Sequence, residues 1–414
     1  MKILIIGSGG REHAIGWKIK QEFPDSELFF SPGNGGTIKI GKNIQDEPLN
    51  FAKKNKIDLT IVGPEDPLIK GIVDEFKKEG LKIFGPDRKS AMLEGDKGFA
   101  KDFMRKYNIP TANYEVFDDY NSAKRFLEKL NLPIVIKASG PAAGKGTFIV
   151  YEKEIGFSLL EEIMVNKIFG KSGEKIVIED FLEGEEVSII GFYSNHKFLP
   201  LLPAQDYKKL LDDDKGPNTG GMGSYSPVPF VNKRLFDEIK KVVIDKVIEG
   251  NIKEGIDYNG ILYIGIILTD SGPKVLEFNA RFGDPETQAI LPLIKNNFLE
   301  NILRVSNGDE PVNLEYHNLY SLCVVLCSEG YPKSYKKGIK IEFNDEPLLF
   351  FHAGTIYKDG DLLTNGGRVL NIIGLGETLL EASIKAYNEI KKVHFDGMYY
   401  RKDIGSKHIK KEVL

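Results

Sequence analysis

Short apolar runs alternate with amphipathic stretches along the first hundred residues. Lys2 to Ile6, Leu28 to Phe30, Asp58 to Gly63 and Leu81 to Gly85 read as short strands. Helical periodicity from about Arg11 and from Leu68 to Lys78 fills intervals between them. The pattern predicts a parallel sheet with right-handed crossovers, with ligands gathered at the strand C-termini.

The pattern changes near Asp96. DKGFAKDFMRKYN predicts a helix with Lys97, Lys101 and Arg105 on one face, and a solvated basic face is the plain expectation for that stripe. Pro133 to Lys137 and Thr147 to Val150 read as strands joined by a glycine-rich loop. An amphipathic helix carrying Phe157, Leu160, Met164 and Ile168 follows, then KIVIEDFLEGEEVSIIGFY, which together suit a small α+β lid. Longer strands occupy the stretch from about Val187 to Ser306, including Gly260 to Asp270, which turns at Ser271-Gly272 into a further strand. From about Leu319, strands around Cys323, Phe350 and Val369 precede a helix begun by Thr378 and Glu381, a capping-box pair, with Leu380, Ile384 and Tyr387 on one side. The expectation is an α/β and α+β multidomain chain. An N-terminal parallel α/β unit spans 1–100, a central unit 101–318 carries a mobile lid at about 118–190, and a small α+β unit spans 319–414.

Composition narrows the function class. The 56 basic and 60 acidic residues are well mixed and leave a net charge of -4, so no footprint for nucleic acid or an anionic membrane is present. The N-terminal apolar stretch is too brief for a signal peptide, which predicts a cytoplasmic protein acting on small molecules. Cys323 and Cys327, four apart in an apolar run, read as reduced, buried hydrophobes. The 6 histidines form no HExxH, and no Ser/His/Asp or Cys/His signature points to a protein nucleophile.

The candidate chemistry lies in polar residues at strand ends and in glycine-rich loops. If Val275 to Arg281 is a strand, Glu277, Asn279 and Arg281 share a face, and two oxygen ligands about 7 Å apart beside a guanidinium suit a divalent cation carrying phosphates. By itself the triplet is better read as a salt-bridged edge strand, since charged alternation is common on half-exposed strands. Lys137 to Thr147, KASGPAAGKGT, is not a Walker A, since a strand rather than a helix follows it. Its backbone N–H groups with Lys137 and Lys145 suit a triphosphate, and a plain hairpin loop is the alternative. EDFLEGEE, Glu179 to Glu186, suits an adenine edge at its backbone and ribose hydroxyls at Glu186, or ordinary surface acidity. GPNTGGMGSYSP, Gly216 to Pro227, is either a loose surface loop or one that closes over a ligand. GSGGREHA after the first strand lacks the third glycine of a dinucleotide fingerprint, leaving a helix N-terminus that could hold another phosphate.

In this order, GSGGREHA, SPGNGGT, TIVGPEDPL, IFGP, AAGKG, GPNTGGMGSYSP, EFNARFGDPETQ, HAGT, TNGGRVL and RKDIG resemble the glycinamide ribonucleotide synthetases of the ATP-grasp superfamily over essentially the whole chain. The resemblance implies an ATP-grasp central domain and the ligation of glycine to 5-phosphoribosylamine in purine biosynthesis, through a glycyl phosphate. It implies ATP contacts at Lys101, Lys137, Gly144, Lys145, Gly146, Glu179, Asp180, Phe181 and Glu186, and Mg²⁺ or Mn²⁺ at Glu277 and Asn279. Arg281 would stabilise the transferring phosphoryl group. Gly9, Gly10, Arg11, Asp284 and Glu286 would serve the phosphoribosyl substrate, and Asp206, Thr219, Gly220 and Gly221 glycine and loop closure. A monomer or weak dimer without the fused activities of some lineages is expected. The alternative is another ATP-grasp ligase acting on a phosphoribosyl purine precursor. Departures from the family pattern are Ser139-Gly140-Pro141, where Pro141 removes an N–H, and Tyr207 with Lys209, which remove an imidazole and a guanidinium.

Overall fold

The computed structural model describes residues 1–142 and 144–413, with side chains through 410. Ala143 of the AAGKG loop and Leu414 therefore lie outside the described residues. No helix among the described residues is long and apolar enough to cross a membrane.

The N-terminal strands form the expected parallel sheet. Lys2–Gly7 lies at its centre, between Glu27–Pro32 and Leu59–Val62, with Lys42–Asn43 and Ile83–Phe84 at the edges. The helix expected over Leu68 to Lys78 is two helices, Glu65–Lys70 and Ile72–Lys78. Gly71 divides them at φ 94, a left-handed cap that a side chain would strain.

The lid is a four-stranded antiparallel sheet ordered Tyr114–Phe117, Ile176–Asp180, Ile134–Ala138, Thr147–Val150. Its covering helix, Lys153–Leu160, runs into a π-turn over Glu161–Val165. Ile168, expected on the packed face, lies beyond that turn and is exposed. A second antiparallel sheet, ordered Lys197–Pro200, Glu185–Ser194, Gly260–Thr269, Gly272–Asn279, forms the floor beneath the lid.

The floor's last strand ends at Asn279, two residues short of the expected Arg281. Gly265 faces Glu277 and Ile266 faces Val275, so Leu276 is an extra residue, a β-bulge. The Leu276 carbonyl accepts instead from Lys137 Nζ of the lid at 3.1 Å, while Glu277 and Asn279 keep their common side.

The third large sheet joins distant segments in the order Gln205–Asp206, Gly223–Ser226, Tyr320–Cys327, Arg368–Gly376, Phe350–His352. Both cysteines are free and fully buried in it, as expected. Helix Leu379–Ile390 is capped by Thr378, whose Oγ1 accepts from Glu381 N at 3.1 Å. Its packed face is Leu379, Ala382, Ala386 and Ile390, while Leu380 and Ile384 are exposed, the reverse of the expected side. Close approach decides this: a Cβ on Gly374 would lie 2.0 Å from the Ala382 carbonyl oxygen, so at that crossing the helix presents the small Ala382 and Ala386.

Candidate active site

A cleft of about 980 Å³ opens where the N-terminal sheet, the lid, the floor sheet and the third sheet meet. Its wall includes Gly9, Arg11, Lys101, Lys137, Gly144, Gly146, Glu179, Asp180, Phe181 and Glu186. Asp206, Thr219, Gly220, Glu277, Asn279, Arg281, Asp284 and Glu286 complete the expected residues there. Three expected site residues stand outside that wall. Gly10 packs under Asn371 and Gln288, Gly221 packs against Pro285, and Lys145 is exposed on the lid loop.

On the lid side, Lys101 is 2% exposed, so the expectation of a solvated basic stripe fails for its central member. Helix Lys97–Lys106 turns Lys101 into the cleft wall, where its Nζ donates to Thr111 Oγ1 at 2.6 Å and pairs with Glu179. Lys137 Nζ reaches the other Glu179 oxygen at 2.5 Å. Burial alone would raise the Glu179 carboxyl, but Lys137 and Lys101 outweigh it and hold Glu179 below its ordinary range. Burial also lowers Lys101 to about 8, with Glu179 opposing the shift. Glu179 is thus engaged by the two lysines expected at phosphates. Phe181 and Leu182 lie between strand ladders and line the cleft.

The floor contributes Glu277, Asn279 and Arg281. Among the described residues, the Glu277 carboxylate has no hydrogen-bond or ion-pair partner within the protein. Burial would raise it, yet Lys208, Lys137 and Lys97 together hold its carboxyl below the ordinary range. Arg281 Nη2 donates to Asn279 Oδ1 at 3.3 Å, and its Nη1 donates to the Phe282 carbonyl at 3.2 Å. Its Nε meets Glu65 at 3.2 Å and its Nη2 meets Glu94 at 3.2 Å. Burial pushes Glu94 up to about 7, whereas Arg281 and then Arg11 overcome burial and hold Glu65 down at about 2.

Toward the N-terminal sheet, Gly9 N donates to Glu12 Oε2 at 2.6 Å, and Arg11 pairs with Glu12 at 2.5 Å while donating to the Phe282 carbonyl at 3.0 Å. The expected phosphate-holding turn therefore also contains a carboxylate. Asp284 pairs with Arg368 at 3.2 Å and accepts from Gln288 at 2.7 Å, and Glu286 accepts from Tyr263 Oη at 2.8 Å. Burial pushes Asp206 up to about 7, although Lys208 lies 3.7 Å away. Lys208 also pairs with Glu186 at 2.7 Å.

The stretch GPNTGGMGSYSP is a built wall. Thr219 Oγ1 donates to the Lys208 carbonyl at 2.8 Å, Gly220 N donates to Tyr331 Oη at 2.8 Å, and Arg368 Nη1 donates to the Gly220 carbonyl at 2.6 Å. The family departures are absorbed into packing. Ser139 Oγ accepts from Gly98 N at 2.9 Å and donates to Asp96 at 2.7 Å, and Tyr207 lies under the Arg401 guanidinium at 4.7 Å.

Residue-level reasoning did not single out Glu65, Glu94, Lys208 or Arg368, and it named Lys97 only as part of a solvated stripe. Glu65 and Arg368 stand within the quoted motifs TIVGPEDPL and TNGGRVL, which is the signal that could have found them. Glu94 is a single charge near a helix end, with no pattern of its own.

Residues 1–94, 95–287 and 321–407 match in turn the N domain, the ATP-grasp (A) domain and the C domain of phosphoribosylglycinamide synthetase. A phosphoribosylamine–glycine ligase of Caldanaerobacter subterraneus is 48% identical over 415 residues, covering 98% of this chain and 100% of that protein. One of Halalkalibacterium halodurans is 46% identical over 419 residues, covering 99% and 97%. The crystal structure of a Thermotoga maritima phosphoribosylamine–glycine ligase aligns with a TM-score of 0.88 at 39% identity, over 98% of this chain and 100% of that one. These matches carry the three-part architecture expected from the sequence: a parallel N-terminal sheet, an ATP-grasp centre and a small C-terminal domain.

Proposed function

The chain belongs to the phosphoribosylglycinamide synthetase family, and on that premise we propose how its cleft performs the family's reaction. The protein is an ATP-dependent ligase that joins glycine to 5-phosphoribosylamine, giving glycinamide ribonucleotide, ADP and phosphate. A glycine carboxylate oxygen attacks the γ-phosphorus, and the bond to the β,γ-bridging oxygen breaks with ADP leaving. The amine of phosphoribosylamine then attacks the acyl carbon of glycyl phosphate, phosphate leaves and the amine loses a proton.

Catalysis of such a transfer is mostly positioning and charge stabilisation. Lys101 and Lys137 hold ATP phosphates, exchanging part of their contact with Glu179 for phosphate oxygens. The backbone of Phe181 and Leu182 faces the adenine edge, and Glu186 the ribose. Arg281 faces the transferring phosphoryl group. Arg11, Gly9, Asp284 and Glu286 border the phosphoribosyl substrate, and Asp206 and Thr219 border glycine.

Glu277 and Asn279 fit a divalent cation that arrives with ATP. The Glu277 carboxylate has no partner within the protein, and among the described residues no group of three or more His, Cys, Asp or Glu forms a cage. Two protein oxygens completed by phosphate oxygens suit Mg²⁺, or the similar Mn²⁺, which when bound neutralises phosphate charge.

The observation that carries this reading is the meeting of Glu277, Asn279 and Arg281 from the floor with Lys101 and Lys137 from above in one cleft. ADP formation with each substrate omitted in turn tests it. Turnover is expected only with ATP, glycine and phosphoribosylamine together, and glycine-independent turnover overturns the assignment.

A further inference from the structure

Arg281 lies just past the end of its strand, so the sheet ladder does not fix it. Its orientation comes from side chains of two other segments. Glu65 begins helix Glu65–Lys70 of the N-terminal domain and meets Arg281 Nε at 3.2 Å. Glu94, on helix Arg88–Gly95, meets Nη2 at 3.2 Å and also accepts from Ala280 N at 2.6 Å, clamping the backbone beside the arginine. The three side chains are 17%, 24% and 9% exposed for Arg281, Glu65 and Glu94, so water competes weakly for these contacts.

A guanidinium has five N–H donors in a rigid fork. Here Nε goes to Glu65, Nη2 is shared between Asn279 and Glu94, and Nη1 donates once, to the Phe282 carbonyl. The remaining Nη1 N–H is left for a ligand. Since the fork is planar, fixing its Nε and Nη2 edges fixes the direction of that N–H. Glu94 is also tied to the backbone of the strand end. Both carboxylates stand in the stretch matched by the N domain, residues 1–94, and Glu65, which opens a helix just after the sheet strand Leu59–Val62, couples the pose of Arg281 to the seating of the N-terminal sheet, which also sends Arg11 Nη1 to the Phe282 carbonyl at 3.0 Å.

We propose that Glu65 is a positioning residue for the phosphoryl step, reaching from the N-terminal domain to aim the Arg281 guanidinium into the cleft. The inference rests on the reading of Arg281 given above. Glu65 bonds no substrate in this role. It acts through Arg281, so its removal should be felt in turnover and only when Arg281 is present.

The test is a double-variant cycle of Glu65→Ala and Arg281→Lys, with Glu65→Gln as an isosteric control, steady-state kinetics for ATP and thermal denaturation of each protein. Glu65→Ala is expected to lower kcat by about 10²-fold, the size of a misplaced catalytic group, with the ATP KM unchanged. Glu65→Gln should recover part of that loss, because its amide oxygen still accepts from Nε. Adding Glu65→Ala to Arg281→Lys should produce no further loss. Multiplicative losses in the double variant, a change confined to KM, or wild-type kcat in Glu65→Ala each overturn the proposal while leaving the role of Arg281 standing. Wild-type kcat in Arg281→Lys overturns both. If Glu65→Ala does not fold, the same cycle run with Glu65→Gln decides the point.

Discussion

Two carboxylates on opposite walls of the cleft, Glu179 in the lid and Glu277 in the floor, share a setting and differ in occupation. Glu179 is buried and Glu277 half-buried, and nearby lysines including Lys137 hold both below the ordinary carboxylate range. Glu179 is clasped by Lys101 and Lys137 in direct contact, whereas Glu277 feels its lysines only through space. The difference teaches what each wall is built to receive. Under the proposed function, the lysines around Glu179 are neutralised until phosphates compete for them, and Glu277 keeps its oxygens available to a cation.

The sharpest way to break this comparison is Glu277→Ala. Metal-dependent turnover should fall by about 10³-fold or more with an unchanged melting transition, because the carboxylate supports no packing partner. Near-normal turnover with ordinary magnesium dependence would show that the floor carboxylate receives no cation. Glu179→Gln should act on stability instead, leaving two buried ammonium groups uncompensated at a cost of about 3 kcal/mol by urea denaturation. ATP should return much of that loss by supplying its phosphates, and an unchanged urea midpoint would refute the clasp.

Acidity sharpens the contrast further. Burial lowers Lys101 to about 8, so in the free enzyme it loses its proton as pH rises through that value. Its charge is present below about pH 8 and lost above. Accordingly kcat/KM for ATP should fall by about tenfold per pH unit above the inflection. Lys101→Arg should remove the inflection, since a guanidinium stays charged. The smallest effect concerns the glycine-rich walls. Hydrogen exchange over 140–146 should slow when ATP and glycine are added, whereas 216–223, already bonded to Lys208, Tyr331 and Arg368, should change little. Equal slowing of both segments would mean the two walls close together.

Contiguous chemistry was legible along the chain. Glu277 and Asn279 sit two apart in a strand, and the period of two carried their shared side through the prediction even though the bulge at Leu276 did not announce itself. The alternating N-terminal pattern gave its parallel sheet for the same reason, local periodicity. The stripe Lys97, Lys101, Arg105 misled because helical spacing says which residues share a face and nothing about what covers it. Glu179, 78 positions after Lys101, is what turns Lys101 inward. Helix Leu379–Ile390 misled similarly. Leu380 and Ile384 are the larger apolar residues, but the close approach of Gly374 selects Ala382 and Ala386.

By itself, then, the sequence determined the strands and glycine turns, the metal-suited pair Glu277 and Asn279, and, through ordered motifs, the family. Tertiary structure decided which charges meet. Glu65 and Arg281 are 216 positions apart and Arg368 and Asp284 are 84 apart, and no periodicity reaches so far. Such pairs exist because four sheets pack around one cleft, where burial makes an unmatched charge costly and each surviving charge must find either a partner or a ligand.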